Sequence, residues 1–185
     1  MLFGIDYGSK LAGTTVIAYL DNGQIKTISS EKKQDADQFI MDHVRELKPT
    51  LIGIDAPLSL PRAFFGKGED YFYREADRHL KAMSPMFLGG LTARAMRLVH
   101  QLEGSFIEVY PGALARELDL KKFSYKKKDA DYQAMLAQLS WTVSYKRMPI
   151  NAHEMDAVLA LFITWKFMNN QAQRVGNPDE GLIYF

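Results

Sequence analysis

The sequence contains no cysteine. That excludes disulfides, thiolate-ligated metals and cysteine nucleophiles. A long hydrophobic run is also missing. The longest, AVLALFITW at 157–165, is too short to span a bilayer and is flanked by polar residues. Met1 leads straight into LFGIDYG, without the basic and apolar segments of a secretory leader, so a cytoplasmic protein with no membrane association is expected. Nor is there an excess of one charge. A formal net charge of +1 gives no global field to attract nucleic acid or an anionic surface, so any polyanion contact must come from local clusters. No repeat or low-complexity tract is visible. What remains is a globular composition, 47% hydrophobic and 24% charged over 185 residues, enough for one domain with a single core.

The pattern along the chain predicts an α/β fold. Residues 2–7 read as a buried strand. TTVIAYLD (14–21) alternates like a second, and QIKTISS (24–30) returns from it after Asn22–Gly23, a strong hairpin signal. DADQFIMDHVRELK (35–48) spaces Phe39, Ile40, Val44 and Leu47 for a helix that Pro49 ends. TLIGID (50–55) is then an apolar strand. A right-handed crossover sets it parallel to one of the first three. Residues 57–104 are less regular, with helices expected near 69–81 and 90–102, before a fifth strand at 105–111. Residues 151–170 form a long last helix, and PDEGLIYF is a short edge strand or a docked tail.

Three carboxylates stand where charge is costly. Asp6 and Asp55 end apolar strands, each in the tripeptide Gly-Ile-Asp, and Asp156 belongs to the last helix, where Leu159, Ala160, Ile163 and Phe167 mark the sheet-facing side. An ionised carboxylate out of water needs a partner. If the three converge, their repulsion raises their pKa values, and a divalent cation relieves it. Mg²⁺ or Mn²⁺ suits an all-oxygen set and commonly serves phosphoryl chemistry. Each residue also has a local reading: Asp6 caps the YGSK turn, Asp55 starts a turn before Ala-Pro, and Asp156 answers the helix dipole. Asn151 and Glu154 match a capping box. His153 is placed to meet Asp156 one turn on. Glu108, in FIEVYP, either joins the site or faces solvent.

A meander with Asp in its first strand, an acidic residue ending the fourth, and Asp on the last helix resembles the ribonuclease H-like fold. HEMDAVLAL is similar to the last-helix motif of Holliday-junction resolvases. More of the chain resembles a family of predicted RNase H-like nucleases catalogued as domain of unknown function 429. GIDYGSKLAGTTVIA, IGIDAPLSLP, YREADRHLK, MSPMFLG, FIEVYPGA, HEMDAVLALFITW and DEGLIYF occur in family order and cover most of the sequence. The resemblance implies a five-stranded mixed sheet flanked by helices, a single domain over 1–185 with a helical insertion at 57–104, and a metal site at Asp6, Asp55 and Asp156 assisted by His153 or Glu108. Related nucleases often carry a fourth carboxylate where this chain has His153, so one metal or two stays open.

The expected function is Mg²⁺- or Mn²⁺-dependent hydrolysis of a phosphodiester in nucleic acid, DNA or RNA, with a homodimer left open. The stretch 62–81 interleaves Arg62, Lys67, Arg74, Arg78 and Lys81 with Phe64, Phe65, Tyr71, Phe72 and Tyr73. Such a stretch suits single-stranded nucleic acid, or else forms a satellite core with a solvated face. KKFSYKKKD clusters Lys121, Lys122, Lys126, Lys127 and Lys128. These either contact phosphates or form a solvated loop. Lys10, Arg74, Arg78 and Lys127 are the expected substrate contacts. Two other classes remain open: a non-catalytic RNase H-like binding module, and a relative of the nucleotide-phosphate-binding ATPases and sugar kinases, which share a GIDxGS-like first hairpin.

Overall fold

A computed structural model describes all 185 residues. The meander is formed by β1 (Leu2–Asp6), β2 (Val16–Asp21) and β3 (Gln24–Ser29). Asn22 and Gly23 both take positive φ, 49° and 76°, as a tight hairpin turn between right-twisted strands requires. Helix α1 (Ala36–Leu47) starts where the Asp35 side chain accepts from the N–H groups of Asp37 and Gln38, and stops at Lys48 in the left-handed region, just before Pro49. Strand β4 (Leu51–Asp55) then pairs parallel to β1, as the crossover predicts.

Between β4 and β5 (Phe106–Val109) lie a 3-10 turn at Arg62–Phe65 and the helices α2 (Glu75–Leu80), α3 (Pro85–Leu88) and α4 (Gly90–Gln101). The helix expected from 69 starts only at Glu75. The Asp70 carboxylate accepts from the N–H groups of Phe72 and Tyr73, which fixes a turn there instead. After β5 come α5 (Pro111–Glu117), α6 (Tyr132–Ala137), β6 (Ser144–Tyr145), α7 (Ala152–Met168), β7 (Arg174–Val175) and β8 (Ile183–Tyr184).

The sheet is mixed and has eight strands, ordered β6-β3-β2-β1-β4-β5-β8-β7, rather than the five expected. The five longer strands are those the sequence indicates. β6, β7 and β8 have two residues each, too short to show alternation. The C-terminal segment pairs with β5 through β8, and β7 forms the edge beyond it. No helix is long and apolar enough to cross a membrane.

Helices cover both faces. On one, α1 and α4 bury Phe3, Ile5, Ile17, Ile52 and Ile54. On the other, α7 lies under α5 and α6, and every residue from Glu154 to Thr164 is buried. A helix enclosed on all sides explains an apolar run without a polar stripe. Its seat is made by two glycines. In Gly-Ile-Asp the first and third residues share a face of the sheet. Gly4 and Gly53 are register partners, as are Asp6 and Asp55. A methyl at Gly4 would lie 2.0 Å from the backbone nitrogen of Leu161, and one at Gly53 2.0 Å from Thr164 Oγ1. At Gly4 backbone meets backbone and at Gly53 the Thr164 side chain takes the space, so α7 rides low on β1 and β4.

Candidate metal centre

The same tripeptide that seats α7 supplies the centre. Two residues beyond each glycine, Asp6 and Asp55 stand side by side at the carboxyl ends of parallel strands, on the face that α7 covers. The first turns of α7 bring Asp156 over them. One carboxylate oxygen from each residue lies within 4.8 Å of the others. The carboxyl ends of parallel strands are where open α/β sheets generally bind ligands.

The three carboxylates are unequally served. His153 Nδ1 lies 2.8 Å from Asp6 Oδ2. It therefore engages Asp6 across the layer, not Asp156 along its own helix. That bond raises the imidazole pKa, against the opposing effect of burial. Asp156 accepts from the Tyr125 hydroxyl and pairs with Lys126 at 2.9 Å. Burial nevertheless holds its carboxyl above the ordinary range, with Lys126 pulling the other way. Asp55 receives no hydrogen bond or ion pair from the protein. Desolvation, then the charges of Asp6 and Asp156, push its carboxyl well above the usual value. Burial also raises the Tyr125 hydroxyl, and the Asp156 charge adds to it. Tyr125 is therefore a neutral donor.

Tyr125 and Lys126 reach the site because the chain folds back on itself. Ser124 and Lys126 have φ of 60° and 62°, and Ser124 Oγ donates to Asp129 at 3.1 Å. No residue type in SYKKK requires those left-handed conformations, so nothing in the sequence separates Lys126 from its two lysine neighbours.

Glu108 stands apart from the cluster, and it does not face solvent. It is buried and held by Arg74, whose guanidinium is wholly buried too. All five N–H groups of Arg74 are used. Nε and Nη2 donate to Asp77 at 3.0 and 2.7 Å, Nη1 and Nη2 to Glu108 at 2.7 and 2.6 Å, and Nη1 to Ser59 at 2.8 Å. The Leu58 N–H also donates to Glu108 at 2.9 Å. Burial raises the Glu108 pKa although Arg74 opposes it. Glu154 is committed as well: Arg147 clamps it through two bonds of 2.6 and 2.7 Å. Half of its capping box forms, through Asn151 Oδ1, while its own carboxylate accepts from the Ile150 N–H rather than from Asn151.

A cavity of about 330 Å³ joins the two groups, with Asp6, Asp55 and Lys126 on its wall together with Glu108, Arg74 and Met83. The other expected substrate contacts are dispersed. Lys10 is on the surface, paired with Asp35 at 3.2 Å. Arg78 is bound to Asp70 and lies over the Tyr73 ring at 4.8 Å. Arg74 is structural in its bonding, although it borders the cavity. Lys127 is exposed on a neighbouring groove. Phe64, Phe65, Tyr71 and Phe72 are exposed rather than packed as a satellite core.

No family model matches the chain, and neither the curated proteins nor the solved structures provide a match. What the geometry defines is an α/β protein with an acidic cluster able to hold a cation.

Proposed function

We propose that the protein is a ribonuclease H-like nuclease that hydrolyses a phosphodiester bond in nucleic acid with Mg²⁺ or Mn²⁺. One observation carries this reading. Asp6, Asp55 and Asp156, far apart in the chain, converge, the first two on the wall of a cavity, and the central carboxylate has no partner in the protein. The donor set fits a hard divalent cation, since every ligand is a carboxylate oxygen and no sulfur is present.

Such an ion supplies Lewis acidity at a phosphoryl oxygen and lowers the cost of forming hydroxide from water. The chain's own groups do the rest. Asp6, Asp55 and Asp156 would hold the cation. Asp6 orients His153 through Nδ1, which leaves Nε2 to take or return a proton. The Lys126 ammonium lies beside the cluster and can meet a phosphate oxygen where negative charge develops. The first strand, the meander and the last helix also resemble the ribonuclease H-like arrangement, but fold alone carries no activity.

The test is a cleavage screen with Mn²⁺ over single-stranded, duplex and branched DNA and RNA, with Asp6→Asn as control. Cleavage by the wild type and its loss in Asp6→Asn are expected. Undiminished cleavage by Asp6→Asn would remove the assignment.

A further inference from the structure

Lys126 borders a second depression on its other side. This groove, of about 460 Å³, runs between α5 and the segment that follows it, and its wall includes Arg116, Lys121, Lys126, Lys127, Tyr110 and Tyr125. Tyr110 and Lys126 also line the carboxylate cavity, so the two spaces adjoin across these side chains.

The groove gathers positive charge in one concavity. Some surface cations elsewhere are paired: Lys10 with Asp35, Lys26 with Asp21, Lys67 with Asp179, Arg78 with Asp70, Arg147 with Glu154. Here four cations share a wall with one acidic residue, Asp119, and of the four only Lys126 has a carboxylate partner, Asp156 at 2.9 Å. Arg116 spends one bond on the Leu80 carbonyl at 2.7 Å and lies over the Tyr110 ring at 5.3 Å, which fixes it without neutralising it. Lys121 and Lys127 have no carboxylate partner. Left-handed backbone at Asp119, Ser124 and Lys126 holds the segment in the shape that presents these side chains to one space. Three unpaired cations, with Lys126 beside them, in a concavity that adjoins the carboxylate cavity complement a row of phosphates.

We infer that this groove is the track for the phosphodiester backbone on one side of the bond to be cut. The substrate is then a strand that continues past the scissile phosphate, not a nucleotide or a free end that stops there. This rests on the nuclease reading and specifies which surface carries the strand.

The experiment compares Lys121→Met/Lys127→Met with the parent, both in an Asp6→Asn background with Mg²⁺ so that the probe survives. Fluorescence anisotropy follows labelled oligothymidylate and oligouridylate across a range of salt. The double substitution is expected to weaken binding about tenfold and to flatten the salt dependence by roughly 0.7 for each lost contact. Arg45→Met/Lys48→Met, on the opposite layer, should change neither. Calorimetry with Mn²⁺ on Lys121→Met/Lys127→Met with Asp6 intact should show an undisturbed centre. Unchanged affinity and salt dependence, with Mn²⁺-dependent cleavage intact in the double variant, would dismiss the groove and leave the nuclease reading standing. A wild type that binds Mn²⁺ but neither binds nor cuts any oligonucleotide would end both.

Discussion

Two charge clusters border one cavity, one buried and one half-buried, and they are built on opposite plans. Around Arg74, five donors meet the oxygens of Asp77, Glu108 and Ser59, with none left over. Around Asp55, three carboxylates crowd together with one lysine and one histidine at the margins, and the central one receives nothing. A matched cluster is complete and holds the segment between β4 and β5 against the sheet. An unmatched cluster desolvates and crowds like charges, which raises the pKa of the carboxyl between them and favours a cation or a proton there. The balance of donors and acceptors distinguishes the two.

That contrast can be broken from either side. The largest effect is expected at the complete cluster. Arg74→Met leaves Asp77 and Glu108 buried without their cation, which should cost about 3–5 kcal/mol in urea unfolding. A loss below about 1 kcal/mol would mean the network is not the structural anchor described.

The incomplete cluster should respond in the opposite direction. Asp55→Asn removes repulsion, so the metal-free protein should gain on the order of 1 kcal/mol. Mn²⁺ affinity by calorimetry should fall more than about a hundredfold. The sign follows from linkage: a carboxyl whose pKa is raised by folding takes up protons more readily in the native state, so its contribution declines as pH rises through that pKa. The wild type should show this decline and Asp55→Asn should lack it.

Asp37 offers a third, intermediate case. Arg94, Arg97 and Tyr7 surround it. Burial raises its carboxyl pKa, but Arg94 and Tyr7 outweigh that and hold it below the ordinary value. A depressed pKa gives stability that is present above the unfolded value near 4 and lost as pH falls through the folded one. Asp37→Asn should forfeit about 2 kcal/mol at pH 7, and the difference from wild type should shrink toward pH 3.

The smallest effect separates tethered from free cations. If the Lys126 ammonium stands where the ion would, Lys126→Met should raise Mn²⁺ affinity about tenfold, or ~1.4 kcal/mol, while slowing any cleavage. Unchanged affinity would place the ammonium outside the ion's position.

The sequence revealed the incomplete cluster more readily than the complete one. Asp6 and Asp55 contradict their own strands, and contradiction is visible in one dimension. The hairpin at Asn22–Gly23 and the crossover to β4 are equally local. Arg74 is not visible in this way, because an arginine among aromatics and other cations reads as surface until Glu108, 34 residues away, is known to face it. Lys126 is hidden for another reason: its position depends on left-handed turns that Ser and Lys do not announce. The three shortest strands depend wholly on tertiary pairing, which leaves no period to read.

The alignment of Gly4 with Gly53 has a consequence for how the protein is made. A slip of one residue between β1 and β4 would rotate Asp55 to the far side of the sheet and put an isoleucine under α7. No ion site could then assemble, and the last helix could not dock. The two glycines thus tie the correct pairing of strands whose sequences nearly repeat to the seating of the last helix.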